Sequence, residues 1–287
     1  MFIGSVLLYP NMQKKGCIEA ISLVSEKLHS LGIDIIMSEE HIESFNLNNI
    51  KIDRYLPEQE AFVACDIAIV LGGDGTMLSA AHTACLINTP LLGINLGTLG
   101  YMSELEIAEI DLLDKLKEEF NCAHRMMIDI SVERESIQIA CFTALNEVLI
   151  SRGAVASMLG LNLICDGSQV NHYRADGLIV STPTGSSAYS MSAGGPIIDT
   201  KLDAICVCPV CSHSLSGSRA LIFSPKSEIV IKPLSEKGGD IILTADGRYS
   251  FPLKDGDSVI ITKSAKITRF VKLKKDAFYD ALNRKLG

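Results

Sequence analysis

The strongest constraint on the fold is a single junction. The apolar run Ile67-Ala68-Ile69-Val70-Leu71 breaks into Gly72-Gly73-Asp74-Gly75-Thr76, and a small-residue apolar segment, Met77 to Cys85, follows at once. A short apolar run rich in β-branched residues reads as a buried strand, and the segment after the glycines suits a packed helix. A strand that turns directly into a helix belongs to a βαβ unit, and such units build a parallel sheet with helices on its faces. Ligands of such sheets bind at the C-terminal ends of the strands. Glycines there let backbone N–H groups approach phosphate oxygens, and the helix end adds partial positive charge. No Gly-Lys-Thr follows, so this is not a Walker loop, and the spacing is not Gly-x-Gly-x-x-Gly either. A carboxylate stands between the glycines instead. Beside a phosphate it can hold Mg²⁺ or take a proton from an attacking hydroxyl. In a purely structural turn, Asp74 is an N-cap.

The flanking sequence extends the pattern. Phe2 to Tyr9 reads as a strand, and Ile18, Ile21, Val24, Leu28 and Leu31 form one face of a helix that Gly32 ends. Ile33–Met37 and Leu91–Asn95 are further strands, and the latter runs into a second glycine-rich turn, Gly93 to Tyr101. Two such turns on neighbouring strand ends suggest one shared phosphate-and-ribose site with Tyr101 at its mouth. Glu39 to Pro57 is polar and shows no period. After a helical run at Ile110, Leu113, Leu116 and Phe120, short runs bounded by turn signals begin at about Met127. Asp166-Gly167 and Asp246-Gly247 each separate two such runs as hairpin turns. Ile229–Lys232, Ser258–Thr262 and Ile267–Val271 add strands, so this part is mostly β, in two packed sheets. A last helix, Asp276 to Leu286, closes the chain.

Composition narrows the partners. With 26 basic against 34 acidic residues the net charge is −8, which gives no global attraction for nucleic acid. The eight Lys or Arg from Lys263 onward read as a solvated face. No apolar run approaches the roughly 18 residues of a membrane span, and the start, Met1-Phe2-Ile3-Gly4, lacks the basic region of a signal peptide. Nine cysteines without a regular framework argue for reduced thiols and a cytoplasmic home. Cys206, Cys208, Cys211 and His213 are spaced in a way that suits zinc, but Ile205–Pro209 reads as a buried strand and no second pair lies at finger-like spacing. No protein metal ligands are assigned.

Several motifs together carry a resemblance. They are Gly72–Thr76, Gly93–Tyr101, Asn146-Glu147, the run Asp176-Gly177-Leu178-Ile179-Val180-Ser181-Thr182-Pro183-Thr184-Gly185-Ser186-Ser187-Ala188-Tyr189, and Ser192-Ala193-Gly194-Gly195-Pro196. In this order, over roughly residues 65–250, the chain resembles the NAD kinase family in its bacterial form. The resemblance implies transfer of the γ-phosphoryl group of ATP to the 2′-hydroxyl of the adenosine ribose of NAD, giving NADP. It implies a divalent cation, Mg²⁺, held mainly through ATP. Asp74 matches the catalytic Asp, proposed as the base. Gly73 and Gly75 match glycines flanking the phosphates, and Leu78 joins the substrate-binding set. Asn146 and Glu147 match residues that hold the adenosine and ribose. Thr184, Ser187, Ala188 and Tyr189 match the wall of the dinucleotide pocket, and Asp176 and Ser192 match contacts on the nicotinamide side. Tyr101 matches an aromatic over the site, and His213-Ser214-Leu215-Ser216 a turn without metal. The implied fold is α/β plus β: a Rossmann-like domain with a parallel sheet over residues 1–122, rejoined by the helix of about 276–287, and a C-terminal β-sandwich that binds the dinucleotide over 123–275. Homodimers or homotetramers are implied, with no nucleic-acid or membrane partner.

Arg174 carries the donor expectation. A guanidinium two residues before Asp176 can hold phosphate oxygens in a bidentate way, although an Arg on a strand edge is more often simply solvated. In the resemblance, Arg at this position goes with nucleoside triphosphate donors, and a small residue with use of polyphosphate as well. NAD is expected over NADH. Two alternatives remain. Lipid kinases acting on diacylglycerol or sphingosine share Gly-Gly-Asp-Gly-Thr, but they carry Gly-Thr-x-Asn-Asp where this chain has Asn95-Leu96-Gly97-Thr98-Leu99-Gly100. A non-catalytic NADP-binding module is expected to lack Asp74.

Overall fold

Two grammars of apolar spacing, one helical and one strictly strand-like, become two compact units. The structure, a computed structural model, describes residues 3–46, 50–97, 100–153, 158–213, 219–235, 238–275 and 277–286. One unit comprises Met1–His124 and Thr268–Gly287, the other Arg125–Ile267.

The first unit holds β1 (Ser5–Pro10), β2 (Asp34–Ser38), β3 (Arg54–Leu56), β4 (Ile67–Gly72), β5 (Leu91–Asn95) and the short β6 (Leu105–Glu106). Its strands are parallel, in the order β5-β4-β1-β2-β3, with β6 beside β5. The order reverses at β1: the chain moves one way through β2 and β3, then returns to the other side for β4 and β5. That reversal opens a crevice between the ends of β1 and β4. Helix α1 (Cys17–Ser30) turns Ala20, Ile21, Val24 and Leu28 inward, each burial of a large apolar side chain contributing about 1.5–3 kcal/mol. It ends with Gly32 at φ +66°, where a side chain would be strained. Helices α2 (Ile42–Asn46), α3 (Glu58–Ala64) and α4 (Asp74–Ile87) complete this part.

In this unit three details differ from the sequence expectation. The first strand begins at Ser5, because the amides of Gly4 and Ser5 turn aside to the Asp66 carboxylate at 2.8 and 2.9 Å; Phe2 lies outside the described residues. The unassigned Glu39–Pro57 stretch yields a 3₁₀ turn, α2 and the edge strand β3, which is too short to show a period. The run around Leu113 and Leu116 is a 3₁₀ helix, Ile107–Lys117, interrupted at Glu109, and Phe120 falls beyond it.

The second unit is antiparallel. It contains β7 (Asn121–Arg134, entering from the first unit), β8 (Ile137–Ala144), β9 (Glu147–Arg152), β10 (Leu159–Cys165), β11 (Ser168–Ala175) and β12 (Gly177–Ser181). The short helix α5 (Tyr189–Ser192) follows, then β13 (Ile205–Val210), β14 (Leu221–Phe223), β15 (Ile229–Ser235), β16 (Ile241–Ala245), β17 (Tyr249–Leu253) and β18 (Ser258–Lys272). One sheet runs β14-β13-β12-β9-β16-β17; the other includes β11-β10-β15-β18 and the hairpin β7–β8. Alternate residues of both sheets, such as Val148, Leu178, Val180, Leu161, Ile231 and Val259, enter one core. Both Asp-Gly pairs form tight turns with positive φ at each residue, 48° and 78° at Asp166-Gly167, 50° and 63° at Asp246-Gly247. The two strands expected at Ser258–Thr262 and Ile267–Val271 are one strand, β18. The stretch Lys263 to Lys266, with two lysines, interrupts the apolar run but not the strand. From Thr268 the chain belongs to the first unit, where Phe270 pairs with Leu91 of β5 and α6 (Ala277–Leu286) follows; Asp276 lies outside the described residues.

Candidate active site

In the first unit the geometry is set by a carboxylate. Gly73, not Asp74, takes the N-cap position of α4, and Asp74 opens the helix. Its side chain reaches the loop after β5 instead, where Oδ2 accepts the Tyr101 amide at 2.9 Å and Oδ1 the Met102 amide at 3.0 Å. The two glycine-rich turns are therefore braced together by one residue. Close approach makes Gly100 necessary, since a Cβ there would lie 2.0 Å from Asp74 Oδ1. Gly73 and Gly75 are different: a Cβ on either would meet nothing within 4 Å among the described residues. The fold itself does not require glycine at these two positions, so the space they leave is available to a ligand. Thr98 and Leu99 lie outside the described residues.

Around this turn, Asn11 Nδ2 donates to Thr76 Oγ1 at 3.2 Å, and Lys14 Nζ stands 3.7 Å from where a Cβ on Gly97 would be. A cavity of about 370 Å³ opens on the β1 side, lined by Tyr9, Asn11, Gln13, His41, Gly75 and Thr76. Leu78 is half-buried on α4. The Tyr101 ring packs 6.3 Å from Phe278, and Lys285 of α6 lies 4.1 Å over its face. Its hydroxyl is buried without a hydrogen-bond partner among the described residues.

In the second unit a clamped segment carries the polar groups. The amides of Leu145, Asn146 and Glu147 donate to the Asp246 carboxylate at 2.8, 2.8 and 3.0 Å. On the other side, Thr182 Oγ1 donates to Leu145 O at 2.6 Å and the Thr182 amide to Asn146 O at 2.9 Å. Gly185 closes over this peptide so tightly that a Cβ would lie 2.1 Å from Asn146 O. The side chains show the opposite state: Asn146 Oδ1 and Glu147 Oε2 are buried with no partner among the described residues. Burial, with Asp246 beside it, pushes the Glu147 carboxyl up to about 7. Orphaned buried acceptors cost free energy unless a ligand satisfies them.

The other expected residues are spread along the same unit. Thr184 is buried before a 3₁₀ turn, Ser187 donates to Thr184 O at 3.2 Å, Ala188 follows, and Tyr189 and Ser192 are exposed on α5. Asp176 is held bidentately by Arg152, at 2.9 and 3.3 Å. Arg174 is exposed on β11, which is the end strand of its sheet, and its carbonyl accepts the His213 amide at 2.9 Å. Ser214, Leu215 and Ser216 lie outside the described residues. Cys206 and Cys208 are buried on β13, Cys208 Sγ lies 3.6 Å from Ala193 O, and burial pushes the Cys206 thiol up to about 11. Asp246 entered the sequence expectation only as a hairpin residue and Thr182 only as part of a motif, and Arg152 and Lys14 were absent from it. Asp246-Gly247 is a complete hairpin signal in itself, so nothing in it announces a second task for the side chain.

A parallel sheet with a carboxylate-braced glycine crevice, and a sandwich with orphaned acceptors, define a two-unit nucleotide-binding phosphotransferase. Comparison with known proteins makes this specific. Residues 6–119 match the ATP-NAD kinase N-terminal domain, and residues 145–273 the ATP-NAD kinase C-terminal domain. A relative from Natranaerobius thermophilus, named NAD kinase, is 36% identical over 284 residues, 98% of this chain and 97% of its own length. Another from Syntrophotalea carbinolica, also named NAD kinase, is 41% identical over 224 residues, 77% of this chain and 78% of its own. Among solved structures, yeast NADH kinase complexed with NADH matches with a TM-score of 0.86 at 26% identity, covering 100% of this chain and 88% of that one. An NAD kinase from Archaeoglobus fulgidus in complex with ATP matches at 0.73 and 24% identity, covering 99% of each chain, and speaks for the fold alone. The chain belongs to the NAD kinase family.

Proposed function

We propose that this chain is an NAD kinase that transfers the γ-phosphoryl group of ATP to the 2′-hydroxyl of the adenosine ribose of NAD. The observation that carries the reading is the match of both family domains, in order, across both units. Gly73 and Gly75 receive donor phosphates on backbone amides, and Lys14 supplies a cation beside the same loops. Asp74 accepts the 2′-hydroxyl proton as the oxygen attacks the γ-phosphorus and ADP leaves. Its two amide bonds leave carboxylate lone pairs available and hold the group still. A lone carboxylate at the phosphate loop suits a divalent cation carried on the donor, and such a cation, when bound, neutralises phosphate charge. Asn146 and Glu147 take the adenosine and ribose through their orphaned acceptors. Leu78, Tyr101, Thr184, Ser187, Ala188 and Tyr189 line the substrate, and Asp176 and Ser192 serve the nicotinamide side.

Finer points belong to the same proposal. The relatives' names leave the lipid-kinase and non-catalytic alternatives without support of their own. NAD is preferred over NADH, the protein is cytoplasmic, and it assembles as a homodimer or homotetramer. Among the described residues, no helix is long and apolar enough to cross a membrane. Arg174 restricts the donor to nucleoside triphosphates.

The test is incubation of purified protein with NAD or NADH, ATP or polyphosphate, with and without Mg²⁺. NADP formed from NAD, ATP and Mg²⁺ is the expected result; its absence refutes the activity. Comparable rates with polyphosphate refute the Arg174 assignment, and a gain of polyphosphate use in Arg174→Gly supports it.

A further inference from the structure

The Asn146-Glu147 segment divides its hydrogen bonds unusually cleanly. Three consecutive amides go to one carboxylate, two carbonyls go to Thr182, and the two side chains keep buried acceptors that no described residue partners. An extended segment ordinarily gives its amides to a neighbouring strand. Here β9 begins only at Glu147, and the amides just before it are removed from the ladder by the hairpin turn between β16 and β17. The grip is reciprocal, since the Asp246 amide donates to Glu147 O at 3.0 Å. Asp246 is 7% exposed, so little of the arrangement is lost to water.

We propose that Asp246 is a positioning residue for the dinucleotide: by holding the amides of Leu145, Asn146 and Glu147, it aims the Asn146 and Glu147 side chains at the adenosine ribose. This rests on the NAD kinase reading. A turn residue needs no carboxylate for its backbone shape, because Asn or Gly adopts the same positive φ. A negative charge is what three convergent N–H donors require, and each such charge-assisted bond is stronger than its neutral counterpart. The same charge acts on its neighbour: burial and Asp246 together raise Glu147, so Asp246 also sets the pH range in which Glu147 can accept from a ribose hydroxyl as an anion. Among the described residues, Asp246 is the charged neighbour that adds to the effect of burial.

The experiment is steady-state kinetics of Asp246→Asn across pH 5.5–9, with folded protein quantified by circular dichroism. Asn keeps the turn and the size of the side chain, but it loses the charge and offers one acceptor atom in place of two. The expected result is a KM for NAD raised about tenfold or more, since small misplacements of a binding group carry such costs. The KM for ATP should stay within about twofold, and the acidic limb of kcat/KM for NAD should move to lower pH. Asp246→Glu keeps the charge and moves the carboxylate; it should raise the KM for NAD while the limb remains. Unchanged KM and limb in Asp246→Asn, with activity lost only in proportion to folded protein, would reduce Asp246 to a turn residue. Should wild type form no NADP, the functional reading fails by itself, and calorimetric titration of NAD into both proteins still decides the grip: equal affinity overturns it, weaker binding to the variant upholds it.

Discussion

Asp74 and Glu147 are carboxylates with opposite environments, and that contrast sets their expected behaviour. Both residues are half-buried, but each Asp74 oxygen accepts an amide, whereas Glu147 keeps Oε2 buried with no partner among the described residues. Asp74→Asn keeps the size of the side chain but removes the proton acceptor. It should lower kcat by about 10²–10⁴-fold while NAD affinity changes little; retention of a tenth of wild-type turnover would refute the base assignment. For Glu147 the sign follows from its carboxyl lying at about 7. As an anion it accepts from ribose hydroxyls, so kcat/KM for NAD should fall about tenfold between pH 8 and pH 6. Stability of the ligand-free protein runs the other way. An acid raised on folding binds its proton more tightly in the folded state, so its contribution is fully present below the unfolded value and is lost as pH rises through 7. Glu147→Gln should therefore stabilise the ligand-free protein at pH 8 by about 1–2 kcal/mol in denaturant unfolding, with the gain vanishing near pH 5. A variant less stable at pH 8 would contradict the burial argument. The identities of both residues stood in the sequence; their surroundings did not, because burial is a property of what folds over a residue.

At the scale of elements, the loop after β5 depends on the absence of one atom. A methyl at Gly100 would have to displace the Asp74 carboxylate it would overlap. Gly100→Ala should fold, since the clash involves one side chain at the start of α4, yet lose kcat by about tenfold or more because the base is moved. Wild-type kcat in Gly100→Ala would show that the brace between the two loops has no part in the reaction. Element identity was largely legible: β4, β5, α1 and both Asp-Gly hairpins lie where periodicity and turn chemistry put them. Elements whose stability comes from partners were not. β3 is a three-residue edge strand, β18 continues through polar residues between segments paired at Val259–Ile261 and at Phe270, and the run at Leu113 became 3₁₀ rather than α.

For the whole molecule, cysteine burial provides a probe of each unit. Burial pushes Cys17 in the first unit and Cys206 in the second up to about 11, whereas Cys141 and Cys211 are exposed. At pH 8 an alkylating reagent should label Cys141 and Cys211 at least about 100-fold faster, and reach Cys17 and Cys206 only when their units open. Mass spectrometry of labelled peptides along a denaturant gradient checks this; native labelling of Cys206 as fast as Cys211 would mean that β13 is not covered. The resemblance and its activity were readable because the glycines, Asp74 and the 176–196 segment are contiguous motifs whose chemistry depends on residue type and near neighbours. The same holds for the parallel and antiparallel grammars, since hydrophobic period is a local property of the chain. Only the tertiary structure placed Asp246 on three amides 99 to 101 residues away, Asp74 on the loop after β5, and Arg152 on Asp176. Those contacts join residues far apart in the chain, and their energies exist only once packing has brought the donors and acceptors together and excluded water.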